Sequence, residues 1–325
     1  MLIFRTDPSV EAGVGHLKRS VYLASLLKKK IDILFCINKD KVVSRLLEER
    51  NVPYCVLKEL NIVKQESNKI KSIVFDLRKF SSMDIEWLIQ AKERNITTIQ
   101  ITDLGMNQQP VDYTIDASIE QLFPFDKKKQ VLIGPDYTLL HHKFRHFNKV
   151  RRKYRKRVKN IFVSLGGSVQ YRQLRKVVDI LSRHQFNVKA APGFYLKKSG
   201  RKILKRLYPG IRFVGKTESL ARSFFEADAA VITPGMAAAE AAAVGTPCLY
   251  LHCSERQKGI AKSFENQGAG LEISPIDDLS EGHIIKIINS LTVEKRIEMG
   301  NKGKTLVDGS GARRIVDFFE HKGII

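Results

Sequence analysis

Short apolar runs recur along the chain, each closed by a glycine, proline or aspartate turn and followed by a stretch with apolar residues three or four apart. The first kind of segment predicts buried parallel strands and the second amphipathic helices. In the first half, strands are expected at residues 1–5, 33–37, 52–57, 72–75 and 97–101, with shorter ones around Tyr113 and Val131. Helices are expected at 40–49 and 83–95, and one more carries Leu17, Val21, Leu23, Ala24 and Leu27 on its stripe. In the second half the strands fall at 160–164, 186–191, 211–214, 229–232 and 248–251. Helices fall at 172–183, 196–207, 218–227, 236–244, 255–267 and 283–291. The clearest stretch is residues 227–251, where an apolar run, the turn Thr233-Pro234-Gly235, an alanine-rich helix and a second apolar run make a βαβ unit.

Such alternation predicts an α/β protein of two doubly wound, Rossmann-like domains facing across a cleft. A chain of 325 residues is long for one core. The dense basic run at 149–159 falls near the midpoint, which places the domains at 1–150 and 151–325.

Composition narrows the partners. The 43% hydrophobic content is ordinary for a globular protein, and no apolar run is long enough to cross a membrane. The N-terminal residues form a strand rather than a secretory signal, and Cys36, Cys55, Cys248 and Cys253 lack metal-type spacing. Both features predict a cytoplasmic protein with reduced thiols. The net charge of +22 suits an anionic surface or a phosphorylated ligand, but no zinc finger, RNP aromatic pair or helix-turn-helix accompanies it. No specific nucleic acid is therefore expected, and the anionic-surface contact is expected to be weak.

The chemistry-bearing residues lie at the turns. Gly13 and Gly15 open the first helix beside His16, a side chain suited to taking a proton near neutrality. Asp76 and Arg78 follow the fourth apolar run, at the strand end where open α/β sheets place ligands. In the second half the turn Gly166-Gly167-Ser168 and the turn Thr233-Pro234-Gly235-Met236 each precede a helix. Unpaired N–H groups at helix starts bind phosphate, so two such turns suit a diphosphate held without a metal. Glu240, one turn into the alanine helix, is placed to accept bonds from ribose hydroxyls. Tyr171, Phe194 and Tyr195 can stack on a base, although core packing is the commoner fate of such rings. His141, His142 and His146 have no acidic or cysteine partner at ligand spacing, so neither a metal nor a cofactor is expected.

Taken together, these motifs resemble a known family. Gly13-Val14-Gly15-His16-Leu17-Lys18-Arg19 is similar to the G-x-G-H-x-x-R signature of the nucleotide-sugar hydrolase of pseudaminic acid synthesis and its spore-coat polysaccharide relatives. Gly134-Pro135-Asp136-Tyr137 with Leu139, Leu140 and Phe144, the Ser164–Ser168 turn, the Glu240 helix and Gln257 match in the same order. The resemblance thus covers residues 1 to about 272. It implies the GT-B fold shared with the lipid II-forming glycosyltransferases. It also implies metal-independent hydrolysis of a UDP-linked acetamido deoxy sugar at the anomeric carbon, with release of UDP. His16 is then the base, and Gly166, Gly167 and Gly235 stabilise the departing diphosphate. Glu240 holds the ribose and backbone near Val214 meets uracil. Gly13, Gly15, Arg19, Asp76, Arg78, Tyr137, Glu255, Arg256 and Gln257 line the sugar side. The chain departs from the hydrolase pattern at Asp76-Leu77-Arg78, where the family carries Asp-His-Tyr, and at Glu255-Arg256, where it carries Lys-Asn. Two arginines suit an acidic sugar or acceptor. A GT-B glycosyltransferase using a UDP-sugar donor is the alternative, and a non-catalytic nucleotide-sugar or polyanion binder is the second.

Overall fold

The computed structural model describes residues 1–7, 14–57, 67–126, 130–166, 171–193, 196–215 and 220–325. They divide into two compact units, Met1–Leu140 with Ser310–Ile325, and His141–Gly309.

The first unit is built on a seven-stranded sheet of described residues, all pairs parallel, in the order β3-β2-β1-β4-β5-β6-β7. Its strands are β1 (Leu2–Thr6), β2 (Ile33–Ile37), β3 (Tyr54–Val56), β4 (Ser72–Asp76), β5 (Thr97–Thr102), β6 (Tyr113–Asp116) and β7 (Gln130–Ile133). Helices α1 (Gly15–Leu27), α2 (Lys41–Glu48) and α3 (Ser82–Glu93) make the crossovers from β1 to β2, β2 to β3 and β4 to β5. β1 and β4 are buried along their whole length, as expected of central strands covered on both faces. The strand order reverses between β1 and β4, so the gap beyond their carboxyl ends is the place where this topology accommodates ligands.

The second unit repeats the scheme on a six-stranded parallel sheet of described residues, β10-β9-β8-β11-β12-β13. The strands are β8 (Asn160–Ser164), β9 (Asn187–Ala191), β10 (Arg212–Phe213), β11 (Ala229–Ile232), β12 (Cys248–His252) and β13 (Gly270–Pro275). Around them pack α4 (His142–Lys149), α5 (Tyr171–Ser182), α6 (Lys198–Leu207), α7 (Leu220–Glu226), α8 (Met236–Ala243), α9 (Glu255–Asn266), α10 (Glu281–Ser290) and α11 (Val293–Leu306). The reversal here lies between β8 and β11.

The observed division differs from a boundary at residue 150, and the basic run explains why. α4 and residues 150–159 belong to the second unit. Asn148 Nδ2 donates to the Ala243 and Lys304 carbonyls at 2.9 and 3.1 Å, and Lys304 Nζ donates to the Val150 carbonyl at 2.8 Å. Arg152 Nη1 bonds Thr246 Oγ1 at 3.0 Å, and burial lowers its guanidinium to about 10. Buried Asp228 accepts from the Lys159 and Asn160 amides at 3.0 and 2.8 Å and from Arg155 Nη1 at 3.0 Å, with Arg296 Nη1 3.9 Å away. Much of the basic run is therefore bonded into the second unit. Asp228→Ala removes the acceptor for two backbone amides and a counter-charge for fully buried Arg296. It is expected to cost about 2–3 kcal/mol, measured as a lowered urea midpoint of the full chain.

The C-terminal helix α12 (Gly311–His321) returns to the first unit. Phe318 and Tyr113 meet as a T-shaped pair with ring centroids 5.3 Å apart, and the Ile324 carbonyl accepts from Ser72 Oγ at 3.1 Å.

Candidate functional site

At the β1/β4 reversal, α1 presents one face to the end of β4. His16, Arg19 and Ser20 stand at i, i+3 and i+4, the spacing that aligns side chains along a helix. All three converge on the Asp76 carboxylate, which is 1% exposed. His16 Nδ1 lies 2.6 Å from Asp76 Oδ1. Arg19 Nη2 and Nε donate to Oδ1 and Oδ2 at 2.6 and 2.8 Å, and Ser20 Oγ donates to Oδ2 at 2.8 Å. On its other side Arg19 Nη1 donates to Asp103 Oδ1 at 2.7 Å. Burial by itself pushes the Asp76 carboxyl up, but the charges of Arg19 and His16 outweigh it and hold the group below the ordinary aspartate range. Burial likewise works against the Arg19 cation, and Asp103 and Asp76 together more than reverse it. Asp76 is thus a carboxylate at neutral pH.

Arg19 Nη2, a donor, also stands 3.0 Å from His16 Nδ1, but the shorter contact of 2.6 Å is to a carboxylate, which only accepts, and on that ground the proton is assigned to Nδ1. That tautomer leaves His16 Nε2 with its lone pair, able to take a proton from a reacting hydroxyl. The carboxylate that orients His16 comes from a residue 60 positions away.

The remaining residues expected on the sugar side divide. Arg19 and Asp76 face inward and position His16, with Ser20 and Asp103 as partners that sequence reasoning did not nominate. Gly15 begins α1, and Gly13 lies outside the described residues. Leu77 is buried in the core beside Phe75 and Trp87, while Arg78 is exposed. Asn107 Nδ2 donates to the Arg78 carbonyl. Tyr137 sits in the 3-10 turn Pro135–Tyr137 after β7, and two strands separate that edge strand from β4. A strand spacing near ~4.8 Å puts roughly 14 Å between β4 and β7.

The second unit joins its two turns at its own reversal. Ser164 of β8 is in register with Ile232 of β11, so the residues that follow are neighbours. Gly166 has φ +78°, and a Cβ added there would stand 3.3 Å from Thr233 Oγ1. Glycine is needed both for that backbone and for the approach of the two turns. Thr233 and Pro234 are buried. Gly235, with φ +150° and open space before it, precedes α8, whose start has no side-chain cap. The first-turn N–H groups of an α-helix have no partner within the helix. Met236 and Glu240, one turn apart on α8, are both half-buried. Gly167, Ser168, Phe194 and Tyr195 lie outside the described residues.

Two expectations here are modified by local bonding. The Val214 amide donates to the Ala190 carbonyl at 2.9 Å, so a base docked there has the Val214 carbonyl rather than its amide to read. Gln257 Oε1 accepts from the Cys253 amide at 2.8 Å, folding the side chain back over the start of α9, where Ser254 is the N-cap. Glu255 is exposed and Arg256 half-buried at that same helix start.

No protein-family model matches the chain. Its sequence is similar to the spore coat polysaccharide biosynthesis protein SpsG of Bacillus subtilis (strain 168), 28% identical over 335 residues covering 95% of this chain and 94% of that protein. It is also similar to the uncharacterised protein MJ1062 of Methanocaldococcus jannaschii, 25% identical over 301 residues; the match covers 86% of this chain and 60% of that protein. Among solved structures, MurG of Acinetobacter baumannii superposes with a TM-score of 0.66 at 12% identity, covering 98% of this chain and 99% of that one. Anabaena Alr3699/HepE in complex with UDP superposes with a TM-score of 0.62 at 12% identity, covering 99% and 100%. The two parallel-sheet α/β domains are those of GT-B glycosyltransferase structures.

Proposed function

We propose that this chain is a GT-B sugar-nucleotide enzyme that transfers a sugar from a UDP-sugar to an acceptor in the making of a cell-surface glycan. The observation that carries the reading is the buried Asp76 carboxylate fixing His16 with its Nε2 lone pair free of that carboxylate, at the reversal point of the first sheet. A purely binding protein has no use for an oriented base. Support for the donor comes from HepE, a structure of the same fold that holds UDP. Similarity to SpsG over nearly the whole of both chains supports polysaccharide biosynthesis.

In the proposed reaction an acceptor hydroxyl gives its proton to His16 Nε2 as its oxygen bonds the anomeric carbon. The bond from that carbon to the diphosphate breaks and UDP leaves. The turn at Gly166 and the α8 start at Gly235 and Met236 meet the charge on the diphosphate with backbone N–H groups, and no metal is required. Glu240 accepts from the ribose hydroxyls, and the Val214 carbonyl faces the base. Arg78 and Arg256 suit an acidic sugar or acceptor.

Hydrolysis is the second reading, with water in place of the acceptor and a UDP-linked acetamido deoxy sugar of the pseudaminic acid type as substrate. The Gly15-His16 pair within the G-x-G-H-x-x-R motif favours it. Leu77 speaks against the same sugar pocket, because the residue standing where the hydrolases carry histidine is turned into the core.

The deciding experiment measures UDP release from candidate UDP-sugars with and without added acceptor sugars. Release that requires an acceptor establishes transfer, release in water alone establishes hydrolysis, and release in neither case removes the proposal. Glu240→Ala is expected to weaken UDP binding about tenfold or more, the value of one charge-assisted hydrogen bond, as read by calorimetry.

A further inference from the structure

Between Asp179 and Glu218 the sequence holds ten lysines and arginines and no acidic residue. α6 lies in the middle of this stretch. Leu204 anchors it, fully buried in the core of the second unit. Arg201 turns inward, donating from Nε and Nη2 to the carbonyls of Leu196 and Gly193 at 3.3 and 3.0 Å. Lys197, Lys198, Lys202, Lys205 and Arg206 are all exposed, and none forms an ion pair among the described residues. Elsewhere in the unit, surface cations do find carboxylates: Arg183 pairs with Asp179 and Glu281, Arg222 with Glu226, and Lys302 with Glu298. Beside its cations α6 also leaves two aliphatic side chains in solvent, Ile203 at 50% and Leu207 at 45% exposure. These stand at i and i+4, one above the other on the helix.

We infer that α6 docks the protein on an anionic lipid surface, its cations at the phosphate head groups and Ile203 with Leu207 entering the acyl boundary. A helix of ten residues is about 15 Å long and lies in the plane of the interface. Clustered lysines and arginines supply the attraction to anionic lipid, and it is screened by salt. The aliphatic pair selects lipid over nucleic acid. Phosphate contacts account for sequence-independent binding to nucleic acid, and they make no use of exposed hydrocarbon. Association of this kind is peripheral: among the described residues no helix is long and apolar enough to cross a membrane.

The test is sedimentation of the full chain with vesicles of phosphatidylglycerol and phosphatidylcholine, against vesicles of phosphatidylcholine alone. A short single-stranded oligonucleotide serves as the polyanion control. Binding is expected only to the anionic vesicles and is expected to fall with added salt. Lys202→Glu with Arg206→Glu should lower partitioning at least about tenfold. Ile203→Ser with Leu207→Ser should lower it about fivefold or more while leaving oligonucleotide binding unchanged. All four side chains are exposed, so the thermal midpoints should match the parent and a lost fold cannot imitate the result. Equal binding to both vesicle types overturns the inference. So does a serine pair that sediments like the parent, which would leave a surface for soluble polyanions.

Discussion

His16→Ala is expected to lower sugar-nucleotide turnover by about 10²–10⁴-fold, the usual contribution of a positioned general base. UDP affinity, which the proposal assigns to Gly166, Gly235 and Glu240 of the second unit, is expected to stay within about twofold of the parent. The split matters because a misfolded variant loses both quantities, whereas loss of the base removes only turnover. Asp76→Asn adds a diagnostic the alanine variant cannot give. In the assigned tautomer the carboxylate, 2.6 Å away, holds the proton on His16 Nδ1. A side-chain amide offers an N–H in its place, which favours the tautomer with the proton on Nε2, where it is useless to a base. Single-turnover assays beside UDP calorimetry make the comparison. Turnover in His16→Ala within a few-fold of the parent would remove His16 from the chemistry.

The second large effect is on stability. Asp76→Ala leaves the Arg19 guanidinium, 6% exposed, with Asp103 as its remaining carboxylate partner among the described residues and removes the common acceptor of His16, Arg19 and Ser20. Breaking a buried ion pair from one side costs about 3–5 kcal/mol, and the loss should appear in the urea midpoint of the first unit's transition. The same carboxyl makes a prediction about acid. Its folded value lies below the ordinary one because Arg19 and His16 overcome burial. Its stabilisation is therefore fully present above the unfolded-state value, near about 4, and is lost as pH falls through the lower folded value. Asp76→Asn should remove that part of the acid sensitivity. Denaturation midpoints of parent and variant should differ at pH 7 and converge in steps below about pH 4. Parallel curves would mean that other carboxylates carry the acid transition.

On the proposed reading each unit places its chemistry at the point where its strand order reverses, with His16 as the base in the first and a pair of glycine turns in the second. On the same reading Arg19 and Asp76, which bond one another beside His16, have a positioning role. Substitution of either should therefore alter turnover and its pH profile more than KM.

The apolar runs and the turns after them were enough to reveal two doubly wound α/β domains, because a strand buried on both faces is a local pattern. His16, Gly166 and Gly235 stood out for the same reason, each lying beside a helix start. Other elements left weaker marks. β13 reads as Gly-Leu-Glu-Ile-Ser-Pro, too polar for a buried run, and α11 carries Gly300 and Gly303 inside its span. Gly303 is admitted there because α11 packs close to α8, where an added Cβ would meet the Ala242 backbone at 3.0 Å. What only the tertiary structure decided was partnership. Asp76 meets His16 across 60 positions, Gly166 meets Thr233 across β8 and β11, Asp228 draws the basic run onto the second unit, and α12 returns to the first. Periodicity records which face of a segment is buried. Which distant segment covers that face depends on strand order and crossover, and these are settled only when the whole sheet assembles.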